Sequence, residues 1–176
     1  PLAVEFSNKY TTLGFDIDIE RIDELNSNYD RTREIETCIL EKNKVTFTNN
    51  VEDIVKSNIY IVTVPTPINQ DNTPNLTPLK SATKMIGRIL KKNDIVIYES
   101  TVYPGCTEEE CVPILERESR LKYNKDFSCG YSPERINPGD KINTIKTIKK
   151  VTSGSNPETS EIVNNLYNSI ITAGTH

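Results

Sequence analysis

Asn58-Ile59-Tyr60-Ile61-Val62-Thr63-Val64 runs into Pro65-Thr66-Pro67, and this stretch decides the fold. Its β-branched and aromatic side chains make an apolar run too short for a helix, which predicts a buried strand. The prolines end it, because proline has no N–H to give to a ladder. Pro78–Lys92 follows as a helix, with proline near its start and Met85, Ile86, Ile89 and Leu90 at helical spacing. Asp94–Tyr98 is then a second strand. Strand, helix and strand in this order make a βαβ unit, whose two strands lie parallel.

The same alternation continues on both sides. Upstream, Leu2–Phe6 reads as the body of a helix, Thr12–Ile17 as a strand ending in acid, and Glu20–Asn26 as a helix with Ile22 and Leu25 inward. Asp30–Leu40 is a polar connection with some helical character, Lys44–Thr48 a short strand and Val51–Lys56 a short helix. Downstream come helix Thr107–Glu118, strand Phe127–Cys129, strand Lys150–Ser153 and helix Pro157–Ile171. Thr107, with Glu110 three residues on, predicts a capping box. The whole predicts an α/β fold, a doubly wound and mainly parallel sheet. Such a domain opens with a strand, a glycine-rich turn and a helix. This sequence opens inside the helix, at Pro1, and Ala173-Gly174-Thr175-His176 has no structural logic as an end, so both ends are expected to be cut.

At 176 residues the chain is long enough for one domain with a sizeable core. Its 21 basic and 25 acidic residues, net −4, argue against nucleic acid or an anionic membrane as the main partner. No apolar run approaches the ~20 residues that span a bilayer, and no signal-peptide core is present. Cys38, Cys106, Cys111 and Cys129 lack zinc-site spacing and the single histidine is His176, so no metal is expected. Cys106 and Cys111 can in principle bridge, but reduced thiols in the cytoplasm are the plainer expectation. One terminal histidine serves neither a serine triad nor a cysteine nucleophile.

In open α/β sheets, ligands bind beyond the carboxyl ends of the strands. Three loops there carry candidate chemistry. Val64-Pro65-Thr66-Pro67 is stiffened by its prolines and presents the Thr66 hydroxyl where a cofactor would lie; the alternative is an ordinary strand exit. Glu99-Ser100-Thr101-Val102 offers Thr101 for a reacting hydroxyl or a catalytic water. Gly130-Tyr131-Ser132-Pro133-Glu134-Arg135-Ile136-Asn137-Pro138-Gly139 offers Glu134, an acid that can act as general base when its pKa is raised by burial, or else form a surface pair with Arg135 or a cap. Upstream, Asp16 closes a strand where an acid can accept both hydroxyls of an adenosine ribose, which favours NAD over NADP; a capping or surface acid is the alternative. Arg21 can flank that adenosine or be a solvated helix residue.

Together these motifs resemble the UDP-glucose/GDP-mannose dehydrogenase family. The resemblance is carried by Pro1-Leu2-Ala3, Gly14-Phe15-Asp16-Ile17, Val64-Pro65-Thr66-Pro67, Glu99-Ser100-Thr101-Val102-Tyr103-Pro104-Gly105, Tyr131–Gly139 and Ala173-Gly174-Thr175-His176. It runs along the whole chain in order. The Glu-Ser-Thr-Val-Tyr-Pro-Gly and Ser-Pro-Glu-Arg-Ile-Asn-Pro-Gly forms are similar to the branch that oxidises UDP-N-acetylhexosamines for surface polysaccharides.

The resemblance implies a Rossmann-like fold and oxidation of the sugar C6 alcohol to a carboxylate in two NAD-dependent steps, through a thioester on a cysteine of a later domain. It implies that Asp16 and Arg21 bind the adenosine side, that Val64, Pro65, Thr66 and Thr101 line the cofactor and reacting centre, and that Glu134 assists thioester hydrolysis. Arg135, Ile136 and Asn137 would contact the nucleotide sugar. The family's glycine loop would precede Pro1 and its cysteine, with lysine, asparagine and aspartate helpers, would follow His176. Residues 1–176 are thus expected to be an NAD-binding domain lacking its first strand and glycine-rich loop, inactive alone, and part of a homodimer or larger assembly when complete. A non-catalytic nucleotide-binding module and a UDP-glucose 6-dehydrogenase are the competing readings.

Overall fold

The computed structural model describes residues 1–134 and 147–176. The chain divides into two compact units, one built on Pro1–Lys56 and Ser169–Ala173, the other on residues 57–134, Lys149–Asn168 and Gly174–His176.

In the first unit, helix α1 (Leu2–Ser7) leads to strand β1 (Leu13–Phe15), α2 (Ile19–Asn26), α3 (Thr37–Leu40), β2 (Thr46–Thr48) and α4 (Val51–Ile54). β1 and β2 are parallel, with Leu13 opposite Thr46 and Phe15 opposite Thr48. Their helices each bury apolar side chains: Val4 and Phe6 from α1, Ile22 from α2, Leu40 from α3 and Ile54 from α4. Asp18 starts α2 by accepting the Arg21 N–H at 3.2 Å, which satisfies one of the free donors of the first turn.

The second unit carries β3 (Ile59–Val62), α5 (Thr77–Ile89), β4 (Ile95–Tyr98), α6 (Val112–Ser119), β5 (Ser128–Tyr131), β6 (Ser153–Gly154) and α7 (Pro157–Asn168). The sheet order is β3-β4-β5-β6. β3, β4 and β5 are parallel, and β6 runs antiparallel to β5. Every residue of β4 is buried, as expected for an apolar run with a strand on each side and a covered sheet. Helices α5 and α6 pack on each other, and α7 packs on β5 and β6. The βαβ unit read from Asn58–Tyr98 is present, with each strand a residue or more shorter than expected.

Two expectations are corrected. Thr107 does not cap a regular helix. Thr107–Cys111 is a π-helical segment that precedes α6, Cys106 occupies the position before it, and Thr107 is buried within it. Pro113 gives the reason: without an N–H it cannot donate one turn back. The widened turn instead lets the Val112 N–H donate to the Thr107 carbonyl, an i→i+5 bond. The strand expected at Lys150–Ser153 is reduced to Ser153–Gly154. The backbone before it pairs elsewhere: Lys150 N donates to Gly174 O at 3.2 Å, His176 N to Lys150 O at 2.9 Å and Thr152 N to His176 O at 3.0 Å. The Gly174–His176 segment is therefore pinned along Lys150–Thr152.

Candidate functional site

In the second unit the loops leaving β3, β4 and β5 emerge at the same edge of a parallel sheet. Backbone bonds continue past the strands and hold the exits side by side. Glu99 N donates to Val62 O at 2.9 Å, Ser132 N to Tyr98 O at 2.9 Å and Glu134 N to Glu99 O at 3.1 Å. The Ser100 hydroxyl donates to Val64 O at 2.6 Å. Val64–Thr66, Thr101 and Glu134 are thereby presented on three adjacent exits.

Their environments differ. Thr101 is exposed on its loop and Val64 is half-buried. The Thr66 hydroxyl oxygen is buried with no hydrogen-bond partner among the described residues. A buried hydroxyl without a partner is destabilising by about 1–3 kcal/mol, so Thr66 marks a place that an incoming polar group would complete. Glu134 keeps its side chain 41% exposed, with its carboxylate 3.6 Å from Lys150 Nζ. Arg135, Ile136 and Asn137 lie outside the described residues.

Behind Glu134 lies a polar cluster that sequence reading did not find. Glu99, Lys150 and Tyr167 are all buried. Lys150 Nζ donates to Glu99 Oε2 at 3.0 Å, and the Tyr167 hydroxyl donates to Glu99 Oε1. The ammonium also stands 5.9 Å from the centre of the Tyr167 ring, within cation–π range. Burial pushes the Glu99 carboxyl above its ordinary value, although the Lys150 charge and the Tyr167 hydrogen bond oppose it. Burial, then the Glu99 carboxylate, hold the Tyr167 hydroxyl well above its ordinary value, so it stays protonated and donates. The one hint in the sequence was Glu99 itself, an acid directly continuing a buried apolar strand, which demands a partner. Its partners are 51 and 68 residues away, and no spacing rule reaches that far.

In the first unit, Asp16 follows β1 and is exposed. Its backbone N donates to Thr48 O at 3.2 Å, and Oδ1 accepts the Asp18 N–H at 3.0 Å, so the carboxylate is oriented at the strand's carboxyl end. Arg21 turns to Asp30, donating to Oδ1 at 2.7 Å. Asp30 also accepts the Thr32 hydroxyl and the backbone N–H groups of Thr32, Glu34 and Ile35. Burial alone would raise the Asp30 carboxyl, but these donors outweigh it and hold it well below the usual range. The Arg21 guanidinium thus has a structural partner, and its second terminal nitrogen, Nη1, has no hydrogen bond among the described residues.

All four cysteines are free thiols. Burial pushes Cys111 up to about 11 and Cys129 higher still, so neither supplies a thiolate near neutral pH. Among the described residues there is no cluster able to hold a metal ion, and no helix is long and apolar enough to cross a membrane.

Residues 2–171 match the NAD binding domain of the UDP-glucose/GDP-mannose dehydrogenase family. The chain is 59% identical to a UDP-N-acetyl-D-glucosamine 6-dehydrogenase of Pseudomonas aeruginosa, aligned over all of this chain and 42% of that protein. It is 51% identical to a protein of the same name from Salmonella typhi, again over all of the chain and 42% of the relative. Among solved structures, UDP-D-ManNAc dehydrogenase from Pyrococcus horikoshii superposes with a TM-score of 0.89 at 29% identity, over 99% of this chain and 43% of that one. The chain therefore spans less than half the length of these three relatives. Its Rossmann-like α/β fold and its matched length place it together: the chain belongs to the UDP-glucose/GDP-mannose dehydrogenase family, as its NAD-binding domain.

Proposed function

We propose that this chain is the cofactor-binding part of an enzyme that oxidises C6 of a UDP-N-acetylhexosamine to the carboxylate in two NAD-dependent steps, in the cytoplasm, for surface polysaccharide synthesis. The observation that carries the reading is the convergence of Thr66, Thr101 and Glu134 on adjacent strand exits, in a chain so similar to UDP-N-acetyl-D-glucosamine 6-dehydrogenases. The residues present fit NAD: Asp16 offers an oriented, exposed acceptor for ribose hydroxyls, and Thr66 a buried hydroxyl awaiting a partner. NAD, when bound, supplies the acceptor for hydride leaving C6.

Each residue then has a task. Asp16 accepts the adenosine ribose hydroxyls, with Arg21 beside it. Val64, Pro65 and Thr66 form a stiff wall, since two prolines fix the backbone. Thr101 holds the reacting oxygen by hydrogen bonding. Glu134 takes the proton from water when the acyl group is released, the role a half-exposed carboxylate can fill. Arg135, Ile136 and Asn137 contact the nucleotide sugar, and the complete enzyme is a homodimer or larger.

The test is a substrate panel on the full-length enzyme with NAD: UDP-GlcNAc, UDP-GalNAc, UDP-ManNAc and UDP-glucose. UDP-GlcNAc is expected to turn over fastest, with two NADH formed per sugar. Turnover of UDP-glucose alone overturns the substrate assignment, and no turnover of any overturns the activity.

A further inference from the structure

Glu134 is gripped at both ends by one buried cluster. Its backbone N–H donates to the Glu99 carbonyl at 3.1 Å, and its carboxylate stands 3.6 Å from Lys150 Nζ. We propose that Lys150 is a positioning residue for the Glu134 carboxylate, itself fixed by Glu99 and Tyr167. This rests on Glu134 acting in the reaction as proposed above.

A lysine side chain is flexible and loses rotamer entropy when fixed, so it positions nothing unless it is itself held. Here it is. The Lys150 side chain is 7% exposed, its ammonium donates to Glu99 at 3.0 Å and stands beside the Tyr167 ring, and its backbone is pinned by Gly174 and His176. Glu99 is locked in turn by the Tyr167 hydroxyl. Three elements therefore converge behind one carboxylate: the exit of β4, the segment before β6, and α7. The contact is also asymmetric. Lys150 bonds the buried Glu99 closely and approaches Glu134 from the protein side, while the Glu134 side chain stays 41% exposed toward solvent. That arrangement fixes the direction of a carboxylate while leaving it accessible, and misplacement by about 1 Å can cost a hundredfold in rate. A buried ion pair is by itself weak evidence for a stabilising role, which leaves orientation as the task this one performs.

The decisive variant is Glu99→Gln with Lys150→Met in the full-length enzyme, because replacing both charges together avoids stranding one in the interior. Its Tm is expected within a few degrees of the parent's, and equilibrium binding of NAD and UDP-GlcNAc within about twofold, while kcat falls about tenfold or more. Built into a Glu134→Gln background, the same pair is expected to produce no further fall, since both act through one group. If the pair lowers Tm by more than about 5 °C, Tyr167→Phe, which removes only the hydroxyl locking Glu99, is read the same way. An unchanged kcat in a folded variant, or an equal fall in the Glu134→Gln background, overturns the positioning role. A Glu134→Gln enzyme with parental kcat instead overturns the role given to Glu134, and this proposal with it.

Discussion

At the scale of single residues, the strongest local electrostatics in the first unit belong to Asp30, whose neighbours hold its carboxyl below the ordinary aspartate value of 3.8. A depressed native value means that the folded state favours the ionised form. The stabilisation is thus fully present above 3.8 and lost as pH falls through the lower native value. Asp30→Asn is expected to lose about 3 kcal/mol at neutral pH by removing the nearer, buried acid of Arg21 and leaving it Glu24 at 3.7 Å. In urea unfolding, the gap between variant and parent should close below pH 3.8; a gap that is constant with pH rules out the charge as its source. Asp16 is expected to behave differently, because it is exposed and its proposed role is toward ligand. Asp16→Ala should raise KM for NAD about tenfold and leave KM for the UDP-sugar and Tm unchanged, which steady-state kinetics and a melting curve together check.

At the scale of elements, β6 and α7 approach more closely than any side chain allows. A Cβ added at Gly154 would lie 2.2 Å from Ser160 N and 2.6 Å from its Cα. Both are helix backbone, which cannot swing aside as a flexible side chain does. Gly154→Ala is therefore expected to destabilise the second unit by about 3 kcal/mol, read as a fall in Tm, and an unchanged Tm would show that α7 moves freely on the sheet. The displacement matters for the site, since α7 carries Tyr167. The same scale explains the correction at Thr107. The Thr-x-x-Glu pattern is a sound capping signal, but Pro113 six residues on removes a donor that a regular helix needs, and the π-helical turn that results draws Thr107 inside.

At the scale of the whole molecule, the proposed reaction would draw Thr66, Thr101 and Glu134 from this chain. An acyl transfer needs a nucleophile; Cys38 is exposed, in the first unit. Cys106, Cys111 and Cys129 are buried with their thiols pushed up, chiefly by desolvation, and the single histidine, His176, is exposed and engaged through its backbone with Lys150 and Thr152. The 176-residue polypeptide alone is expected to form no NADH from UDP-GlcNAc plus NAD, followed by the absorbance of the reduced nicotinamide. Measurable turnover by this polypeptide would overturn that expectation.

Sequence alone determined the alternation of strands and helices, the parallel β3–β4 unit, the loops at the strand exits and the family to which they belong. Each of these is local: periodicity, proline stops and short motifs are written within a few residues of where they act. Tertiary structure alone decided that Glu99, Lys150 and Tyr167 meet, that the Gly174–His176 tail pairs with Lys150–Thr152, and that Arg21 turns to Asp30. Those contacts join residues far apart in the chain or select one partner among several acids, and burial enforces them. A buried charge must find its counterpart wherever the fold brings one, which is why Glu134 was legible as a candidate and the cluster behind it was not.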